Sequence, residues 1–194
     1  AEPEPVHGEL RGGERGGLYA TAAARGLFAN NTLVSNSSIG GGAAGIESAA
    51  DALDVVGNII AHQLGGWGAV RSTTAAAWTY NLLWDNAAGD WSGTAGLPPP
   101  SAGNVALVPD FVAFTLVGGF DDDLSLTATS PQRNLGSPDP LLVDLDGSRN
   151  ALGLDGGQRV GCDGDGDGVR PSEGDCRPDD PAFHPGAHEV APGL

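Results

Sequence analysis

Three short segments of this chain are built alike, and that repetition constrains its fold more than any single residue does. They read Asn31-Thr-Leu-Val-Ser-Asn36, Asn58-Ile-Ile-Ala-His-Gln63 and Asn81-Leu-Leu-Trp-Asp-Asn86. Each opens with Asn, carries Leu or Ile at the third place and closes with an amide. A glycine precedes each unit by 13 or 14 residues, in Gly17-Leu18, Gly45-Ile46 and Gly68-Ala69. Unit length varies while this internal offset hardly moves, as expected if loops bulge between fixed strands. The apolar pieces run three to five residues and are too short and too rich in Gly and Asn for helix pairs. A coil of two or three short strands stacked on the next coil explains the pattern. Leu33, Ile60 and Leu83 would then form an inner apolar ladder. Asn31, Asn58 and Asn81 would stack at a corner, where Asn bonds its own backbone and tolerates the left-handed conformation. Three coils about 4.8 Å apart give roughly 15 Å of rod.

The second informative stretch is Cys162-Asp-Gly-Asp-Gly-Asp-Gly-Val-Arg-Pro-Ser-Glu-Gly-Asp-Cys176. Carboxylates at alternate positions converge on one point, glycines permit the turn, and without a cation the charges would repel. Read as an EF-hand-type loop starting at Asp163, its third and fifth places are Asp165 and Asp167, and Val169 offers a carbonyl at the seventh. The twelfth place is Gly174 rather than a bidentate Glu, with Glu173 and Asp175 on either side, and Asp175 is the preferred closing ligand. Asp179, Asp180 and Glu189 are further oxygen donors. All-oxygen ligation of this kind expects calcium. Cys162 and Cys176, the only cysteines, bracket the loop. A disulfide there would close 15 residues and contribute about 3 kcal/mol in the chain-entropy model. Two free thiols chelating a metal are the rival, although thiolates and carboxylates suit different metals. His184 and His188 could hold copper or zinc, but Pro185 and Gly186 lie between them.

The net charge is -16, and all nine basic residues are Arg. Such a balance argues against nucleic acid and anionic membranes as partners, since both need a basic footprint. It fits calcium or a neutral glycan. No apolar run of about 18 residues is present, so no membrane span is expected. Trp67, Trp78, Trp84 and Trp91 fall within 25 residues. Trp84 reads as buried, and Trp67, Trp78 and Trp91 are candidate glycan contacts, because aromatic faces pack on the apolar faces of sugars. Asp51, Asp54, Asp85, Asp90 and Arg71 form no catalytic motif. Asp121-Asp-Asp123 reads as a solvated turn. His62 matches Ser35 and Asp85 in the repeat and so occupies a polar corner.

The repeat resembles the right-handed parallel β-helix of pectate-lyase-like secreted bacterial proteins. The resemblance spans roughly 12–157 and takes in a closing segment: Val108-Pro-Asp-Phe-Val112, Asp123 to Pro131, Asn134-Leu-Gly-Ser-Pro138, Asp144 to Asn150, then Gly153 and Gly156-Gly157. Ala151 stands where that pattern usually has Asp. The Asp loop is similar to the short metal-binding repeat of MopE-type secreted bacterial proteins. It matches from Asp163 to Gly168, at Asp175-Cys176 and Asp179-Asp180, and at Pro185-Gly-Ala-His-Glu189. These resemblances imply an all-β chain: a flexible segment over 1–11, a β-helix solenoid with closing segment over 12–157, and a small irregular calcium-binding tail over 158–194. They imply a secreted or cell-surface location. The function expected is a non-catalytic scaffold or a module binding carbohydrate or another surface partner. The alternative is a fragment of a polysaccharide lyase or glycoside hydrolase of the same fold.

Overall fold

The computed structural model describes residues 16–38, 41–50, 52–73, 77–92, 103–116, 122–144 and 146–157. The expected N-terminal segment, both cysteines, the Asp loop with its ligands, His184 and His188 lie outside the described residues.

The described chain is all-β. Its strands are β1 (Leu18–Ala20), β2 (Arg25–Ala29), β3 (Thr32–Val34), β4 (Ile46–Ser48), β5 (Ala52–Val56), β6 (Ile59–Ala61), β7 (Val70–Ser72), β8 (Trp78–Thr79), β9 (Leu82–Trp84), β10 (Trp91–Ser92), β11 (Phe111–Ala113) and β12 (Asp123–Leu126). Every third strand belongs to one sheet. The orders are β1-β4-β7-β10, β2-β5-β8 and β3-β6-β9. All pairs in these three sheets are parallel, whereas β11 and β12 pair antiparallel. One pass of the chain through the three sheets is called a circuit below. Short 3-10 helices at Pro131–Asn134 and Gly153–Asp155 complete the regular elements among the described residues.

The third sheet stacks Leu33 on Ile60 and Ile60 on Leu83, as expected for the third place of the repeat. These side chains enter an interior that also holds Ile46, Leu53, Val55, Val70 and Trp78. Because strand side chains alternate, the neighbouring Ile59 and Leu82 point the other way. They are fully buried too, against Leu126 and Leu152 of the closing segment. This sheet therefore has apolar residues on both faces, and β12 and the Gly153–Asp155 turn cover the outer one.

Polar groups hold the closing segment in place. Gln132 is buried; its amide accepts from the Asp110 N–H and donates to the Val108 carbonyl. Asp144 accepts from the Ala151 and Gly157 amides. Asp155 accepts from the Leu126 amide, with Arg133 alongside.

The repeat Asn residues form a continuous ladder. Asn58 Oδ1 accepts from the Asn31 backbone N–H at 2.9 Å, and Asn81 Oδ1 does the same for Asn58 at 3.0 Å. A fourth rung, Asn104, accepts from Asn81 at 2.9 Å. The closing amides form a second column, in which Gln63 Oε1 accepts from Asn36 N–H and Asn86 Oδ1 from Gln63 N–H. The left-handed conformation falls one residue earlier than expected. Asn30, Gly57, Tyr80 and Gly103 precede the first column, and Ser35, His62 and Asp85 precede the second; all have positive φ. The turn needs its left-handed residue just before the amide, so that the amide itself faces the neighbouring circuit. The leading glycines shift as well. Ile46 pairs with Val70, so Gly45 is matched by Ala69 and not by Gly68. A Cβ on Gly45 would come within 2.8 Å of Ile60 Cγ2, which is why a glycine precedes β4.

Candidate functional site

Register in the first sheet brings together residues far apart in sequence. The outward column of its strands reads Tyr19, Glu47, Arg71 and Ser92, one residue per circuit. Arg71 Nη1 lies 2.8 Å from Glu47 Oε1, and the second Glu47 oxygen accepts from the Ala43 N–H at 3.2 Å. The carboxylate is buried and the guanidinium partly shielded. Removing Arg71 would take a counter-charge from that carboxylate, a costly change for a buried ion.

Trp67 lies over this pair. Gly66 and Gly68, both at positive φ, put it on a tight turn, and its N–H donates to the Gly42 carbonyl at 3.0 Å. Its ring stacks on the Arg71 guanidinium at 4.8 Å, and Gly41 packs against it so closely that a Cβ there would lie 3.0 Å from Cζ2. The indole is thus held from two sides and is still 59% exposed; Tyr19, in the same column, is 41% exposed. A guanidinium on an aromatic face contributes about 0.5–2 kcal/mol. The result is a pre-positioned aromatic surface beside a partly exposed guanidinium.

The other candidate tryptophans do not join this surface. Trp78 is buried and meets Trp91 edge-on at 5.5 Å in the interior. Both indoles follow the inward alternation of their strands, so the expected platform of Trp67, Trp78 and Trp91 reduces to Trp67. Trp84 is half-buried against the second apolar cluster.

The polar corner holds a closer association than expected. His62 Nδ1 lies 3.0 Å from Asp85 Oδ2, and the imidazole stacks on Phe114 at 5.0 Å. Ser35 occupies the same corner one circuit earlier, but its buried Oγ makes no hydrogen bond among the described residues. Ser, His and Asp are aligned by the fold without being linked as a relay. Among the remaining acids, Asp54 is exposed opposite Leu27, Asp90 accepts from Asn86 Nδ2, and Asp122 and Asp123 cap turn amides. The Ser125 N–H and hydroxyl hold the Asp123 carboxyl below the usual value. Asp54, Asp90 and the neighbouring Asp122 and Asp123 lie on three separate stretches of the chain. Among the described residues, no three His, Cys, Asp or Glu side chains come together to hold a metal. No helix there is long and apolar enough to cross a membrane.

Sequence reasoning singled out Trp67 and Arg71 but missed Glu47 and Tyr19. The signal that joins them is the register Glu47↔Arg71, which becomes legible only once β4 and β7 are aligned. Comparison with known proteins returned no match, whether by family profile, by curated sequence or by solved structure.

Proposed function

We propose that this protein is a secreted or cell-surface carbohydrate-binding scaffold, a short right-handed parallel β-helix that takes a neutral glycan on the outer face of its first sheet. The observation that carries this reading is the exposed Trp67 ring, fixed against Arg71 beside Glu47. The apolar face of a pyranose packs on an indole. Arg71 donors beside the ring match sugar hydroxyl oxygens, while buried Glu47 fixes the guanidinium in place. The pair is neutral as a unit, and a chain of net charge -16 repels polyanionic sugars. The strand rotation among three parallel sheets supports the β-helix, and parallel crossovers are right-handed almost without exception.

Calcium belongs to the same reading. Asp163, Asp165, Asp167, the Val169 carbonyl and Asp175 would hold it, with the Cys162–Cys176 disulfide closing the loop. Its contribution is structural, neutralising a tail that would otherwise repel itself.

The test is a screen of neutral oligosaccharides followed by calorimetric titration of the best binder. Binding that is lost in Trp67→Ala and kept in Leu141→Ala, a change at a residue 84% exposed elsewhere, supports the site. Failure of every neutral glycan to bind, or equal binding by both variants, refutes it.

A further inference from the structure

The asparagine ladder has a direction, so its two ends differ chemically. In each inner rung Oδ1 faces the preceding circuit and accepts from its backbone N–H, while Nδ2 donates to the next Oδ1: Asn58 to Asn81 at 2.9 Å, and Asn81 to Asn104 at 3.2 Å. At the first rung, Asn31 Nδ2 donates to Ala29 O and Asn58 Oδ1, and its own Oδ1 accepts no hydrogen bond among the described residues. At the fourth rung, Asn104 Nδ2 reaches back to Trp78 O, and its backbone N–H has no acceptor among the described residues. One end of the ladder is an open acceptor; the other offers open donors.

Among the described residues the first circuit is open on one side in its strands and core as well. Among the described residues β1, β2 and β3 pair on one edge only. Leu18, Phe28 and Leu33 are partly buried, whereas their partners one circuit on, Ile46, Val55 and Ile60, are 0% exposed. Edge strands are usually blunted by Lys, Pro or short charged segments. These three strands contain no Pro, and Arg25 at the start of β2 is their one charged residue.

We propose that copies of this chain stack head to tail, the first circuit of one on the fourth circuit of another, with Asn31 Oδ1 accepting from the Asn104 N–H and Nδ2 of its neighbour. The contact would continue the ladder and, at β10 and Val105, the parallel pairing across the boundary at about 4.8 Å. Two different surfaces meet, so the contact does not close on itself and growth continues beyond the dimer. The net charge opposes stacking, and screening at high salt should strengthen it.

Sedimentation velocity on the full 194-residue chain, over a wide concentration range in 0.15 M and 1 M salt, tests this. The expected result is a series of species that grows with concentration and with salt. Asn31→Ala removes the acceptor. Asn104→Asp keeps the oxygen that Asn81 needs but turns the outward donor into an acceptor. Each variant alone should associate at least tenfold more weakly. Mixed in equal amounts, they should form a dimer that grows no further, through the one intact end that each retains. If Asn31→Ala loses its folded spectrum, Phe28→Arg at the same end replaces it. A wild type that stays monomeric, a wild type that stops at a dimer, or single variants that associate like wild type would each overturn the proposal.

Discussion

Asn58→Ala is the sharpest probe of what holds the circuits in register. The side chain is completely buried. Its Oδ1 accepts from Asn31 N–H and Asn31 Nδ2 at 2.9 and 3.1 Å. Its Nδ2 donates to Phe28 O, Val56 O and Asn81 Oδ1 at 3.0, 3.2 and 2.9 Å. Alanine removes all five bonds and supplies nothing for the partners, several of which stay buried. A hydrogen bond lost in this way costs about 1 kcal/mol net, and more where the abandoned group is out of reach of water. The expected loss is therefore about 4 kcal/mol, a large part of the total stability of a small domain. Asn58→Asp should cost at least as much. It keeps the acceptor facing Asn31 but points a carboxylate oxygen at two carbonyls and the Asn81 oxygen. Asn31→Ala, at the open end, loses two partly solvated bonds and should cost about 1 kcal/mol. Urea unfolding followed by circular dichroism measures all three. A loss below 1 kcal/mol for Asn58→Ala, or an Asp variant as stable as wild type, would show that the ladder does not organise the fold as described.

Three further outcomes are expected. Gly153→Ala should destabilise by at least 2 kcal/mol, because its φ is +67° and the new Cβ would collide with Thr32 Oγ1 and the Ile59 side chain; a melting temperature equal to wild type would contradict that packing. Burial raises the Asp144 pKa above 3.8 despite the amides of Ala151 and Gly157. The folded chain then holds this proton more tightly than the unfolded one, so the stabilisation is complete below pH 3.8 and is lost as pH rises through the elevated value. Wild type should lose stability relative to Asp144→Asn across that window, and a constant difference in urea midpoints from pH 3 to pH 7 would refute it. Calcium titration of chelator-treated protein should give binding in wild type that Asp165→Ala abolishes; no heat with wild type would reduce the Asp loop to a solvated acidic stretch.

Much of the parallel architecture was legible because the repeat puts its most demanding residues at fixed places. Amides at both ends of the six-residue unit and an apolar third place predicted the Asn ladder and the Leu33, Ile60 and Leu83 stack. Asn104 was missed, since the proline-rich loop before it hides a spacing of 23 that matches the preceding rung. The left-handed residues were assigned to the Asn positions because propensity identifies a residue type and cannot tell which of two adjacent residues turns the corner. The first-sheet surface was not visible for a different reason. Glu47 and Arg71 are 24 residues apart, on strands separated by loops of unequal length, and a shift of one residue in register would move either to the opposite face. Trp78 and Trp91 show the same sensitivity, since alternation along two-residue strands decides whether an indole is core or surface.

The circuits differ in length mostly after the second amide. From Asn36 to Ile46 the chain uses ten positions, from Gln63 to Val70 seven, and from Asn86 to Trp91 five, although each pair begins and ends on a matched rung. The stack therefore accepts connections of different length between those rungs, although Gly41, Gly42 and Ala43 of the first one also hold Trp67 and Glu47. Lengthening such a loop twofold costs only about 0.6 kcal/mol in closure entropy. An insertion there leaves the amide columns, the core and the neighbouring circuits where they are, so variation can accumulate on one side of the molecule while the rest stays fixed. This makes the exposed turn at Ala87 and Ala88, in the shortest of the three connections, the natural place to graft a foreign peptide.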